Sequence, residues 1–260
     1  MWQYPEIDPV ALALGPLRVH WYAISYLIGI GITWWLLRQR RTGLGLGWSD
    51  EKLSDMLFYG VLGMILGGRV GYVLFYGTDS FLADPTVIFR IWQGGMSFHG
   101  GLLGVLLGMW LFARKQKRSF FTVTDLVAPC IPLALGCGRI GNFINAELPG
   151  RKTDVAWAVI YPGDEVARHP SSLYQAFLEG PVLFAALWLY GRVPRPEMAV
   201  SGAFLLGYGA LRFFSEFFRT PDAHLGFVAF DWMTQGQLLS LPMVILGIGF
   251  IGFAYKRSRT

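Results

Sequence analysis

The sequence predicts an all-α integral membrane protein, a bundle of seven transmembrane helices. Three observations carry that expectation. Hydrophobic residues make up 53% of the 260 and charged residues only 15%, against about 25% charged in ordinary soluble domains. The apolar residues arrive in blocks close to the roughly 20 residues that a helix needs to cross a bilayer. Lysine and arginine collect in alternate connections between those blocks, which orients such a bundle. A mean hydropathy of +0.43 agrees.

Taken in order against their breakers, the blocks fall at about 19–37, 53–76, 97–113, 121–144, 172–191, 198–218 and 238–255. The first runs from Val19 to the basic RQRR stretch, and the second ends at Gly77. The third is short: it either begins inside the Gly-rich GGMSFHGG or tilts little. The connections 38–52, 114–118, 191–195 and 256–259 hold thirteen Lys and Arg. The alternate set holds six: Arg18, Arg90, Arg151, Lys152, Arg168 and Arg219. This asymmetry places the N-terminus outside and the C-terminus in the cytoplasm. The longest pieces between blocks, 77–96 and 145–171, then lie outside as a small arm and cap on a single membrane domain, 1–260.

Ten Trp, eleven Tyr and twenty Phe suit interfacial aromatic belts. The formal charge of +5 belongs to cytoplasmic loops on this reading, so nucleic acid is not an expected partner. Cys130 and Cys137 are too few for a disulfide scaffold and too far from histidine for a metal site; they read as small buried hydrophobes. The opening MWQYPEIDPVALALGP lacks a basic n-region, so no cleaved signal peptide is expected.

An ionisable side chain at membrane depth is costly and marks a functional site by default. Tyr208, Arg212 and Glu216 fall at i, i+4 and i+8 on one helical face. Arg212 and Glu216 could simply neutralise each other; with Tyr208 beside them, an arginine held by Glu216 and aimed at an anion is the preferred reading. Arg139 lies near the outer end of its block with Asn142, Asn145 and Glu147 close behind. Snorkelling to the interface would not need those neighbours, whereas a phosphodiester takes a guanidinium plus amide donors. For Arg69, in LGGRVGY with Tyr72 at i+3, helix packing with a pairing acid such as Asp55 or Asp125 competes evenly with a ligand role. His99, among four glycines, is either a satisfied buried histidine or a general base. His169 precedes Pro170 and is expected to help cap the fifth span; His20 and His224 look interfacial. No HExxH, GxSxG or GxxxxGK[ST] pattern occurs, nor an Asp-rich one.

GRIGNFINAELPG, Gly138 to Gly150, resembles the signature of bacterial prolipoprotein diacylglyceryl transferases, Gly-Arg-x-Gly-Asn-Phe-x-Asn-x-Glu-x-x-Gly, at every fixed position. GGMSFHGG, LGGRVGY, HPSSLYQAFLEG, RFFSEFFRTPD, GQLLSLPM and the opening YPEIDPVALALGPLRVHWYAISY also look like that family, in order along nearly the whole chain. The resemblance implies an enzyme of the bacterial inner membrane working at the periplasmic side. It would move the diacylglyceryl group of phosphatidylglycerol to the lipobox cysteine of a preprolipoprotein signal peptide, releasing glycerol phosphate, with no metal or cofactor. Arg139 and Arg212 would hold the phosphate and stabilise the leaving charge. His99 would take the thiol proton, unless the arginine field alone lowers the thiol's pKa. Asn142 and Glu147 would position Arg139 or the headgroup, Glu216 would orient Arg212, and Tyr26 and Tyr208 would line the cavity. Arg69 and the closing glycine, Gly150, complete the expected substrate-binding set.

Three other classes fit less well. An anion transporter predicts inverted repeats, and no such symmetry is visible. A non-catalytic lipid-binding scaffold does not need His99 near the arginines. An intramembrane protease lacks a Ser–His or paired-Asp motif.

Overall fold

The computed structural model describes residues 1–15, 17–43, 45–221 and 225–259; His224 and the last residue of RFFSEFFRTPD lie outside them. The chain is predominantly helical, and it divides into two compact units, Gly45–Thr124 on the one hand and Met1–Leu44 with Asp125–Thr260 on the other.

The larger unit opens with strands β1 (Trp2–Gln3), β2 (Val10–Leu14) and β3 (Leu17–His20), and then helix α1 (Trp21–Gly43). An all-α expectation leaves these strands out. Most of the run Val10–His20 precedes the first apolar block, and Gly15 at φ +60 lets it fold back on itself, so β2 and β3 pair antiparallel.

The smaller unit is built on α2 (Asp50–Phe75) and α4 (Phe98–Lys115), joined through α3 (Thr78–Ala83) and 3-10 turns at Pro85–Phe89 and Ile91–Gln93. Ser49 caps α2 by accepting from the Lys52 amide, with Asp50 and Glu51 in the first turn where the helix dipole favours them. Ser97 caps α4 in the same way from the Gly100 amide. Between the two helices small residues allow backbone contact: a Cβ at Gly63 would overlap the Gly104 carbonyl, and one at Gly100 the Gly67 carbonyl.

The remaining elements are α5 (Phe120–Val127), α6 (Ile131–Ile144), β4 (Val159–Ile160), α7 (Ser171–Phe177), α8 (Leu183–Tyr190), α9 (Ala199–Ser215) and α10 (Gln235–Arg257). Prolines 129 and 132 mark the short 3-10 step between α5 and α6. A π-helical turn, Leu178–Val182, joins α7 to α8, with Gly180 at φ −92, ψ −106 and Pro181 following. Thr234 and Gln237 form a reciprocal capping box at the start of α10.

Among the described residues, four helical stretches are long and apolar enough to cross a membrane: Asp50–Phe75, Phe120–Ile144, Ser171–Tyr190 and Gln235–Arg257. β1 pairs parallel with β4. The Tyr4 hydroxyl donates 2.8 Å bonds to the carbonyls of Phe143 and Ile144, at the end of α6. Tyr4, Val159 and Tyr161 are buried together against Phe143 and Ala146. That packing fixes the N-terminal strand over the helix that carries Arg139. Cys130 is buried and Cys137 half-buried, both as free thiols.

Candidate active site

α6, the π-helical turn that follows α7, and α9 bring three charged side chains together. Arg139 donates from Nε to Glu179 Oε2 at 3.0 Å, and Arg212 Nη1 stands 3.6 Å from Glu179 Oε1. Glu179 is 0% exposed. It sits in the π-helical turn, whose wider winding and non-helical Gly180 set the carboxylate apart from a regular helix face. A lone buried carboxylate would be strongly disfavoured; two guanidiniums make it tolerable.

Arg212 is held on its other side. Its Nη2 meets Glu216 Oε1 at 2.5 Å, one helical turn further along the chain. Glu216, 2% exposed, also accepts from Arg219 Nη1 at 3.2 Å and from the Thr234 hydroxyl at 2.9 Å. The pairing of Arg212 with Glu216 that the i, i+4 spacing implied is present. The Tyr208 hydroxyl completes the group, lying among Glu179, Arg139 and Arg212, with its ring stacked on Phe204. Glu179 meets Arg139 at Nε, so the terminal edge of that guanidinium is not taken up by the carboxylate. Arg212 Nη1 makes no hydrogen bond. Two guanidiniums fixed by buried carboxylates, one of them with a buried donor left without a hydrogen-bond partner, are of the kind that suits a tetrahedral oxyanion.

The amides behind Arg139 do something else. Asn142 donates to Glu147 Oε2 at 2.7 Å and Asn145 to Glu147 Oε1 at 3.1 Å, so Glu147 holds the two asparagines. The Tyr22 hydroxyl lies near both Glu147 and Arg139, and it meets Tyr26 OH at 3.1 Å. Tyr26 thus joins the group through Tyr22, which the sequence did not single out. Gly150 is buried where the signature loop passes between two other segments. Its amide donates to the His169 carbonyl at 2.9 Å, and a Cβ there would overlap His169 and Phe218. A close backbone approach accounts for the glycine.

Arg69 and His99 belong to the smaller unit. Arg69, 4% exposed, pairs with neither Asp55 nor Asp125. Its five N–H donors turn instead to five carbonyls of the arm: Nε to Ile88 at 3.1 Å, Nη1 to Gly94 and Gly95 at 2.6 and 2.9 Å, and Nη2 to Val87 and to Arg90. The arm is wrapped around one guanidinium. Replacing Arg69 with lysine, which lacks the planar fork, removes at least two of these charged bonds, worth roughly 3 kcal/mol together. Amide exchange at 85–95 should accelerate while the rest of the unit keeps its protection; unchanged exchange there would contradict this role. His99 lies exposed in the first turn of α4, its ring edge-on to Phe98. His169 does not cap α7: Pro170 holds the cap position, and the His169 ring meets Tyr174 OH at 3.0 Å.

Glu179 lies inside the 172–191 block but is absent from the residues expected at the site, where the charges at membrane depth are weighed chiefly as arginines. The same rule applied to acids points to it, in FLEGP.

The family model for prolipoprotein diacylglyceryl transferase matches residues 9–253. The chain belongs to that family. A phosphatidylglycerol–prolipoprotein diacylglyceryl transferase of Azotobacter vinelandii is 59% identical over 259 residues, 99% of this chain and 98% of the relative. Proteins of the same name from Ectopseudomonas mendocina and Pseudomonas fluorescens are 56% and 55% identical, each match covering 99% of this chain and 97% of the relative. The signature Gly138–Gly150 lies within the matched span, and of the other stretches that suggested the resemblance only Tyr4–Asp8 fall before it. Membership of this diacylglyceryl transferase family, with its several apolar helices, makes the chain a multi-pass membrane protein.

Proposed function

We propose that the protein transfers the sn-1,2-diacylglyceryl group of phosphatidylglycerol to the lipobox cysteine thiol of preprolipoproteins. This is the first step of bacterial lipoprotein maturation. The buried cluster of Arg139, Glu179 and Arg212 is the observation that carries the reading. The cysteine sulfur attacks the terminal glyceryl carbon, the C–S thioether bond forms, and the C–O bond to phosphate breaks. Glycerol phosphate leaves with the electron pair. Arg139 and Arg212 hold the phosphate oxygens and stabilise the charge that grows on the leaving group, in a site where carboxylates already fix both guanidiniums. Glu147, through Asn142 and Asn145, shapes the loop beside Arg139. The thiol proton goes to His99 or, with the thiolate stabilised by the arginine field, to solvent. The reaction calls on no metal or diffusible cofactor.

On this reading the protein lies in the bacterial inner membrane as one domain of seven spans, with the N-terminus and active site on the periplasmic side and the C-terminus in the cytoplasm. The excess of Lys and Arg in alternate loops supports that direction. The arm at 77–96 and the cap at 145–171 then face the periplasm.

The test is mass spectrometry on purified protein with phosphatidylglycerol and a peptide bearing a lipobox cysteine. The expected result is a diacylglyceryl mass gain on the cysteine with stoichiometric glycerol phosphate. A folded, lipid-loaded preparation that transfers nothing would overturn the assignment in favour of lipid binding or transport.

A further inference from the structure

The seat of Glu216 lies outside α9. Glu216 begins the 3-10 turn Glu216–Phe218 that follows α9, and its carboxylate reaches across to the first turn of α10. A Cβ on Gly236, the second residue of that helix, would stand 2.6 Å from the Glu216 carboxyl carbon and 2.8 and 2.9 Å from its two oxygens. The carboxylate thus rests on a position that only glycine leaves open. It also meets the positive end of a 23-residue helix.

The hydroxyl of Thr234 fixes how the carboxylate rests. Thr234 is the N-cap of α10 and 3% exposed. Its oxygen accepts from the Gln237 amide at 3.2 Å, and its own amide donates to Gln237 Oε1 at 2.9 Å. A backbone amide can only donate, so the single hydroxyl proton is left for Glu216 Oε2, 2.9 Å away. Glu216 Oε1 meets Arg212 and Arg219. One oxygen is pinned to α10 and the other faces the arginines, so the plane of the carboxylate is set from both sides. Trp232, two residues ahead of Thr234, keys the approach to α10 onto the same helix end. Its ring stacks on Phe217 at 5.9 Å and meets Phe213 edge-on at 6.4 Å, the residues that follow Glu216 and Arg212.

Without that proton, Oε2 would be a buried acceptor lacking its donor, and the carboxylate would turn it toward the nearest guanidinium. Arg212 would then be held along a different edge. The direction of its Nη1, which makes no hydrogen bond inside the protein, would change with it. We propose that Thr234 is a positioning residue of the transfer reaction: with Gly236 it forms a seat at the start of α10 that sets the Glu216 carboxylate and, through it, the aim of Arg212. This rests on the transfer reaction proposed above and on the role given there to Arg212.

Capping alone would be a purely structural role, and glycine separates the two. It serves as an N-cap nearly as well as threonine but has no hydroxyl. Thr234→Gly in the full chain should therefore keep near-native melting while kcat falls about tenfold or more, the scale of a small misplacement of a catalytic group, with peptide KM within about twofold. Thr234→Ser keeps the hydroxyl and should restore most of the rate. A native kcat in Thr234→Gly, or an equally low one in Thr234→Ser, would overturn the proposal. Should Thr234→Gly fail to fold, Gly236→Ala is read in the same way. Alanine favours a helix more than glycine does, yet its Cβ displaces the carboxylate, so kcat should fall as far; a native kcat would overturn the seat. If the unaltered protein transfers nothing, the transfer reading itself falls. Crystal structures of unaltered and Thr234→Gly protein then decide the seat: a Glu216 carboxylate turned from its place on Arg212 supports it, and an unmoved one overturns it.

Discussion

Glu179→Ala is expected to lower transfer by at least about 100-fold, the scale of a small misplacement of catalytic groups. It should also destabilise the protein by about 3–5 kcal/mol, since it removes the shared partner of two largely buried guanidiniums. Glu179→Gln separates the two effects. The amide keeps the volume and one acceptor oxygen but not the charge, so it should recover much of the melting temperature and little of the rate. Transfer assays beside thermal unfolding in the same detergent read both quantities. A Glu179→Gln protein with full activity would show that the carboxylate only fills space.

Arg139→Ala should reduce the rate constant of a single turnover by about 10²–10³, comparable with loss of one preorganised donor to a developing oxyanion. The effect belongs to the chemical step, so binding of phosphatidylglycerol should weaken far less than the rate falls. Arg139→Lys should recover little, because an ammonium cannot meet Glu179 through one edge and a phosphate through another. Rapid-quench measurement with excess enzyme separates the steps. A normal single-turnover rate in Arg139→Ala would place this arginine outside the reaction and leave Arg212 as the phosphate ligand.

How far the sequence could be read depended on what kind of partner each side chain has. Arg139 and Arg212 stood out because a cation in an apolar block is conspicuous, and Glu216 followed from helical spacing alone. Arg212 meets two carboxylates, but only Glu216 follows it within one turn, just past the end of α9; Glu179 comes from an element more than thirty residues earlier in the chain, and no periodicity links the two. Arg69 was ambiguous for a different reason. Its partners are backbone carbonyls of the arm, and every residue type has a carbonyl, so the sequence carries no mark of them. Asn142, Asn145 and Glu147 were seen as a group, but their division of labour was not, because spacing does not say which acceptor an amide will choose. The short strands escaped a reading by apolar blocks, since β1 and β4 contribute two residues each and pair over a separation that only the folded chain closes.

The π-helical turn at Leu178–Val182 also governs how this part of the chain can vary through evolution. Such a turn is an α-helix with one residue inserted, and each residue advances the helix by about 100°. Deleting a single residue there would rephase α7 against α8 by that angle, swinging either Glu179 or the whole of α8 away from its present neighbours. Exchanging one residue for another leaves the phase alone. The segment is thus free in its spelling and strict in its count, and insertions or deletions should be far rarer within it than substitutions.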